Sequence, residues 1–499
     1  MMNSHAWIVP ALRLRERAVA SMACVLLTLA VAACGGGGAG SGPLTVAVVT
    51  VTPAMAKVMV NEQLQLGATP TDAVGNVLTG HAVAWVSSDT AVATVDATGL
   101  VKAIALGQAT ITATIEGQRG TATVATTTGI HFASVSAGGN HTCGQVHGHA
   151  IYCWGDNRFG QLGNGTTTNS ATPVLVSGSL PFAYLSVGRN HACAVTNGQQ
   201  NNLGGPVYCW GDNSSGQLGN GTTTNSTVPV PVLSGLTFIF VVAGGSHTCA
   251  WTLIGVTYCW GENSSGQLGN GSTTNSSIPV AITGGLLWSG LSAGSNHTCG
   301  FGIAVLGASV SAYCWGDNSD GQLGNGTTAS SAMPVPISGP FSGDTLSTGT
   351  LFSCGFRGGI GGGPVYCWGK NSSGQLGNGT TTNSATAVSV LGPLRFAHAG
   401  AAHVCGKSSD SNTLYCWGDN SSGQLGDGST ISSATPAVAA RGLNIGGIFS
   451  AGGHHTCTLA NVTSDFTGAV YCWGDNTFGQ LGNSWTTSSS VPVNVAGPP

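Results

Sequence analysis

The string Tyr-Cys-Trp-Gly occurs seven times, its tryptophan falling at Trp154, Trp210, Trp260, Trp315, Trp368, Trp417 and Trp473. The spacing runs from 49 to 56 residues, and each copy is followed by Gly-Gln-Leu-Gly beginning at Gly160, Gly216, Gly266, Gly321, Gly374, Gly423 and Gly479. A unit of this length cannot bury a hydrophobic face alone, so it must stack against its neighbours. The first copy holds four β-type runs, at 132–137, 142–145, 150–154 and 172–176. Four short strands per unit make one propeller blade. Seven units therefore predict an all-β, seven-bladed β-propeller over residues 128–499, and a closed ring protects edges that a linear array would leave open.

Composition excludes the competing classes. The 499 residues include 80 glycines but only 13 Lys+Arg and 17 Asp+Glu. Long helices draw on charged residues for their wet faces, and common disorder needs high charge with low hydrophobicity, whereas 41% of this chain is hydrophobic. A net charge of −4 supplies no footprint for nucleic acid.

Arg13, Arg15 and Arg17 precede an apolar run at 18–33 that ends Val31-Ala32-Ala33-Cys34. The run falls short of the ~20 residues a spanning helix needs and suits a secretory signal core. Small residues before a cysteine resemble a bacterial lipobox, which implies a signal peptide at 1–33 and a lipid on Cys34. Ordinary cleavage with an incidental cysteine is the alternative. The glycine-rich stretch 34–43 then serves as a flexible tether. Gly35 stands where lipoproteins kept at the inner membrane carry Asp, so the resemblance implies an outer-membrane or cell-surface location with a lipid anchor as the membrane contact. Export places the thiols in an oxidising compartment.

Residues 44–127 alternate apolar and polar side chains with turns about every ten residues, the pattern of a small β-sandwich. The phrases around Trp85-Val86-Ser87-Ser88-Asp89, Val92-Ala93-Thr94-Val95-Asp96 and Ala109-Thr110-Ile111-Thr112 resemble the bacterial immunoglobulin-like domain of group 2. That resemblance implies a spacer or adhesive stalk.

The repeats themselves resemble the regulator of chromosome condensation repeat, through Val-x-Ala-Gly-x-x-His-x-Cys, then Tyr-Cys-Trp-Gly-Asp-Asn-x-x-Gly-Gln-Leu-Gly-Asn-Gly, then a Pro-Val strand. The resemblance implies a protein-binding platform and no particular chemistry. The leading expectation is a surface-anchored binding or adhesion protein with a monomeric head and an unidentified protein or glycan ligand. An inhibitor or regulator of a partner enzyme is the alternative, and a nucleotide-exchange activity a more distant one. No motif for a catalytic nucleophile, metal site or phosphate loop is present in the sequence, so no enzyme activity and no cofactor are expected.

After Cys24 and Cys34, fourteen cysteines remain, two per repeat: Cys143 with Cys153, Cys193 with Cys209, Cys249 with Cys259, Cys299 with Cys314, Cys354 with Cys367, Cys405 with Cys416, and Cys457 with Cys472. The partners fall on successive strands of a hairpin, and length differences are absorbed at its tip, so within-blade disulfides are expected. Zinc is the rival, with the histidine two residues before the first cysteine as a further ligand. Variable spacing and export disfavour it.

Residues that recur from copy to copy are read as scaffold: Asn164, Asn220, Asn270, Asn325 and Asn378 as turn formers, and His141, His191, His247, His297, His403 and His455 as staples between blades. The acids Asp156, Asp212, Glu262, Asp317, Asp419 and Asp475 form a ring assigned to turn chemistry. The fifth copy departs from both patterns, with Phe352 for the histidine, Lys370 for the acid and Arg357 in its hairpin. Off-pattern aromatics also stand at Trp251, Trp288, Phe301, Phe356 and Trp485. Aromatic and cationic residues are the usual anchors of interfaces, which makes Phe352, Arg357, Lys370 and Trp485 the candidate binding residues.

Overall fold

Burial on both faces decides the architecture: the second and third strands of the repeats are buried at nearly every position, so each sheet must be covered on both sides. The computed structural model describes residues 45–497 apart from 61–62, 128–129, 148, 198–203, 304–308, 340, 342–344, 357–362, 393, 409–412 and 463–466. The signal segment, Cys34, the glycine tether and Arg357 lie outside the described residues. All regular elements among the described residues are strands.

The N-terminal unit pairs Met55–Met59, Gln118–Thr127, Gly107–Ile115 and Ala84–Ser87 in one sheet, with a three-stranded sheet and a two-stranded pair beside it. Its core includes Val49, Val51, Leu66, Val101, Ile111 and Val124. Asp96 closes the turn of the Val-Asp-x-x-Gly-Leu-Val phrase, its carboxylate accepting the N–H of Thr98 at 2.8 Å and of Leu100 at 3.0 Å.

From residue 132 onward come seven four-stranded antiparallel sheets, each built from consecutive strands. The first joins Phe132–Ala137, His141–Val146, Ile151–Gly155 and Ser170–Leu175, within a residue or two of the runs read from sequence. The others span 182–231, 240–281, 287–336, 345–389, 394–438 and 445–494. The first strand of each blade is innermost, its end lining a central cavity of about 790 Å³. Among the described residues no strand is exchanged to close the ring. Blade seven meets blade one through paired bonds between the backbones of Phe132 and Gly468, both 2.9 Å, and through a shared core of Trp154, Phe132, Leu459 and Leu481.

All seven expected disulfides are present, each joining directly opposed residues on the second and third strands of its own blade. Cys143 is bonded to Cys153 in blade one and Cys193 to Cys209 in blade two. Cys249 is bonded to Cys259 in blade three and Cys299 to Cys314 in blade four. The last three bridges are Cys354 to Cys367, Cys405 to Cys416 and Cys457 to Cys472. The separations run from 10 to 16 residues, and loops of that size are worth about 3 kcal/mol each in the chain-entropy treatment. The bridge of one blade packs on the next. Cys143 and Cys153 share a cluster with Phe182, Leu185 and Trp210, as Cys193 and Cys209 do with Phe238, Val241 and Trp260. Zinc is thereby displaced as the reading of these cysteines.

The seams between blades repeat one polar network. The loop after the third strand reaches over the following blade, where the backbone carbonyl of its glutamine accepts the indole N–H of that blade's tryptophan. Gln217, for example, accepts from Trp260 at 2.9 Å. All seven seams have this bond, at 2.9 to 3.0 Å, including Trp154 to Gln480 across the closure. The glycine two residues after that glutamine is required, since a Cβ on Gly219 (φ 69°) would lie 2.6 Å from the Trp260 ring. At the same seam Thr248 donates its hydroxyl to the Gln217 carbonyl at 2.9 Å, and its oxygen stands 2.9 Å from Nε2 of His191. Since the threonine hydrogen is committed to the carbonyl, the imidazole donates from Nε2. The sequence expectation that these histidines staple blades therefore holds, with threonine or serine of the next blade as partner at five seams.

This network makes the ring acid-sensitive. Burial pushes the imidazoles of His141, His247 and His403 down to about 3 and those of His191, His297 and His455 to about 4. An unfolded chain protonates its histidines near pH 6.5, whereas these cannot take a proton while folded, so stability is lost as pH falls below 6.5 toward 4. Each histidine removes about 1.4 kcal/mol per pH unit across that window. The urea midpoint of the oxidised protein should fall steeply between pH 6.5 and 4.5, and His191→Phe with Thr248→Val should make the fall shallower. A flat midpoint over that interval would refute the assignment.

Candidate binding face

The blades present two faces, and the one carrying the long loops is built almost wholly from repeated contacts. In each loop a buried asparagine ties the chain together. Asn157 accepts the N–H of Leu162 at 2.9 Å and donates to the carbonyls of Thr166 and Thr168, both at 3.0 Å. Asn213, Asn263, Asn318, Asn371, Asn420 and Asn476 make the same bonds in the other blades. The ring of acids is spent locally as well. Asp317 accepts from the backbone of Ser319 and, at 2.7 Å, from the Gln322 side chain, and Asp419 and Asp475 do the same with Gln424 and Gln480.

Only off-pattern side chains are left to distinguish one sector of this face from another. Of the sequence candidates, Phe352 is corrected by the structure: it is fully buried. It packs at the seam between blades five and six in a cluster with Val404, which stands where four other blades carry threonine. A polar pair has been exchanged for an apolar one, so the change belongs to the scaffold. Trp251, Trp288 and Phe301 are likewise buried. Trp288 lies 5.1 Å from Trp315 between ring centroids, and Trp251 stacks at 5.1 Å on Phe240. Trp485 is 53% exposed on the loop of blade seven. It follows Ser484, a non-glycine residue at φ 72° where the other six loops have glycine. Lys370 lines the central cavity from blade five. The candidates are thus not brought together: Phe352 is interior, Trp485 sits on blade seven, and Arg357 lies outside the described residues.

Sequence reasoning missed four residues that share the cavity with Lys370. They are Arg158, Phe159, Arg189 and His454. Their signal was available, since Arg158 stands where the other loops have Ser or Thr, and Arg189 and His454 occupy the two variable positions of Ala-Gly-x-x-His or its variants. Arg158 is held by the Asp156 carboxylate through two bonds of 2.9 Å, with its guanidinium 4.6 Å above the Phe478 ring across the closing seam. His454 lies 3.5 Å from Asp419. That contact raises the imidazole above its usual range and holds the carboxyl well below the usual carboxylate range.

Comparison with known proteins agrees with this architecture. The regulator of chromosome condensation repeat matches residues 149–195, 204–251, 255–301, 311–355, 362–405, 411–459 and 467–499, and the bacterial Ig-like domain (group 2) matches 45–126. Among curated proteins, the chain is 29% identical over 275 residues to the ultraviolet-B receptor UVR8 of Arabidopsis thaliana, covering 53% of this chain and 59% of that one. It is 37% identical over 110 residues to the human E3 ubiquitin-protein ligase HERC2, covering 21% of this chain and 2% of the ligase. The chain thus spans less than two thirds of the length of these relatives. Among solved structures, Prp20p from Saccharomyces cerevisiae superposes with a TM-score of 0.59 at 18% identity, covering 69% of this chain and 85% of that one. Human WBSCR16 superposes with a TM-score of 0.56 at 22% identity, covering 66% and 87%. These likenesses show the fold.

The seam chemistry supplies a test of the correction. Nε2 of His141 has no partner, unlike that of the other five seam histidines, because Ala192 replaces the threonine at the seam of blades one and two. Ala192→Thr should stabilise the protein by about 1 kcal/mol. Phe352→His alone should cost about 1–3 kcal/mol, as an unpaired buried imidazole does, and adding Val404→Thr should recover most of the loss. Denaturant midpoints of the wild type, Phe352→His, Val404→Thr and the double variant measure the coupling, and additive effects at Phe352 and Val404 would show that the two do not act as a pair.

Proposed function

We propose that this chain, which belongs to the regulator of chromosome condensation repeat family, is an exported, lipid-anchored binding protein. Its propeller head engages a macromolecular partner through the off-pattern residues of the long-loop face. The observation that carries this reading is the consumption of the repeated polar chemistry by the scaffold: histidine, threonine, asparagine and glutamine are committed inside or between blades. Binding therefore falls to residues that interrupt the repeat. Propeller relatives of this kind bind protein partners, and the structure of Prp20p is described with its binding to Gsp1p and histones. The leader that ends at Cys34 supports export and anchoring, and a stalk-like immunoglobulin domain suits a head displayed away from a membrane.

Metabolic labelling with a palmitate analogue should mark the wild-type protein and not Cys34→Ser. An unlabelled, freely secreted wild type would remove the anchor from this reading. Crosslinked capture by the displayed full chain, followed by direct binding of the recovered partner, tests the head.

A further inference from the structure

We propose that the mouth of the central cavity is a binding site for an acidic polypeptide segment, whose carboxylates are received by Arg189 and Lys370 with Arg158 and His454 beside them. The inference rests on the partner-binding reading above and names the ligand chemistry of that head.

Charge is scarce in the propeller, which makes its placement informative. Residues 128–499 contain seven Lys and Arg side chains, Arg158, Arg189, Arg357, Lys370, Arg395, Lys407 and Arg441. Three of them line one cavity, and His454 adds a fourth basic group. No Asp or Glu is among the described residues that line it, although acids outnumber cations in the propeller overall. The reason lies in side-chain reach. At the position after Tyr-Cys-Trp-Gly, a short carboxylate folds back onto turn donors two residues on, as Asp212 does onto Ser214 at 3.1 Å. Lysine at the same position in blade five cannot accept those bonds, and Lys370 is among the residues lining the cavity.

The four basic groups differ in what they have left to offer. Arg158 and His454 are already paired with Asp156 and Asp419, so they supply oriented donors with little net charge. Arg189 and Lys370 make no ion pair among the described residues. The wall between them is small and smooth, with at least one glycine from every blade. A Cβ on Gly188 would lie 2.5 Å from the carbonyl oxygen of Gly244, and one on Gly244 would lie 2.6 Å from that of Gly294. Phe159 and Leu351 also line the cavity and offer apolar contact to the methylene stems of glutamate.

The cavity, about 790 Å³, is in the range of ligand sites. Its cations come from blades one, two, five and seven, so one small anion cannot reach them all, whereas a segment carrying several carboxylates can. A nucleic-acid chain needs a long basic stripe along its phosphates, which seven Lys and Arg side chains in the whole propeller do not supply. The observations therefore favour polypeptide.

The test uses the purified full chain and fluorescence anisotropy with labelled octaglutamate, octalysine and oligothymidylate. Octaglutamate should bind saturably, weaken more than fivefold as salt is raised from about 50 to 300 mM, and weaken at least tenfold in Arg189→Glu with Lys370→Glu. Arg441→Glu, away from the cavity, should stay within twofold. Neutralising changes, Arg189→Gln and Lys370→Gln, serve if charge reversal disturbs folding, which unchanged near-ultraviolet dichroism excludes. Absent octaglutamate binding, binding unaltered in both double variants, or tighter binding of octalysine or oligothymidylate overturns the proposal. If a partner captured by the wild-type chain is held equally by the double variants, this inference falls while the partner-binding reading stands.

Discussion

The backbone carbonyl of one loop glutamine is the junction on which the ring depends. At the seam of blades two and three, the Gln217 oxygen accepts the Trp260 indole and the Thr248 hydroxyl together. An indole N–H buried without a partner would cost about 1–3 kcal/mol, so the tryptophan can fill the interblade core only where such a carbonyl is delivered. Delivery requires the loop to lie flat on the next blade, which in turn requires glycine against the indole face. The Gly-Gln-Leu-Gly string is thus one device: a carbonyl for the tryptophan, a leucine plug, fully buried at Leu162, Leu218 and Leu268, and glycines that permit the approach.

Ring closure follows without a special mechanism. Many linear stacks need a capping unit because the last repeat has no neighbour. Here the loop of blade seven meets blade one with the indole bond used at every other seam, Gln480 accepting from Trp154 at 2.9 Å, and with the hydroxyl bond of four others, accepting from Thr142 at 3.0 Å. Each disulfide, from Cys143–Cys153 in blade one to Cys457–Cys472 in blade seven, joins two strands of its own blade and secures a local hairpin. Between-blade cohesion is left to packing and to the carbonyl junction.

Much of this was legible because it is periodic. Strand positions, cysteine pairing and the assignment of histidines to seams all follow from residues that recur with the blade. What the sequence concealed is relational. Phe352 looks like a surface anomaly when the fifth copy is compared with the others, yet it is one half of a pair whose other half, Val404, lies 52 residues on in the next copy. Comparing each histidine position with the residue after the following one would have exposed that match, and would equally have exposed the mismatch of His141 with Ala192. The cavity cations were hidden for the same reason. They sit in four separate copies and converge only when the ring is closed.

A ring of near-copies faces a constraint when it must recognise one ligand in one orientation. The repeated groups that hold the seams are committed to one another, the glutamine carbonyl to the indole in all seven blades and the histidine Nε2 to a hydroxyl at five seams, because losing such a bond inside a seam costs stability. Specificity must then be written at positions where the repeat is small and uncommitted. Arg158 occupies a position that is Ser or Thr in the other loops, Arg189 and His454 occupy the variable pair before the histidine, and Trp485 replaces a Thr or Ser. Substitution at such positions leaves the junction untouched while changing what the face presents. The same logic separates Lys370 from Phe352, neighbours in one divergent blade. One lines the cavity and alters its charge, and the other packs in a seam beside the residue it must change with.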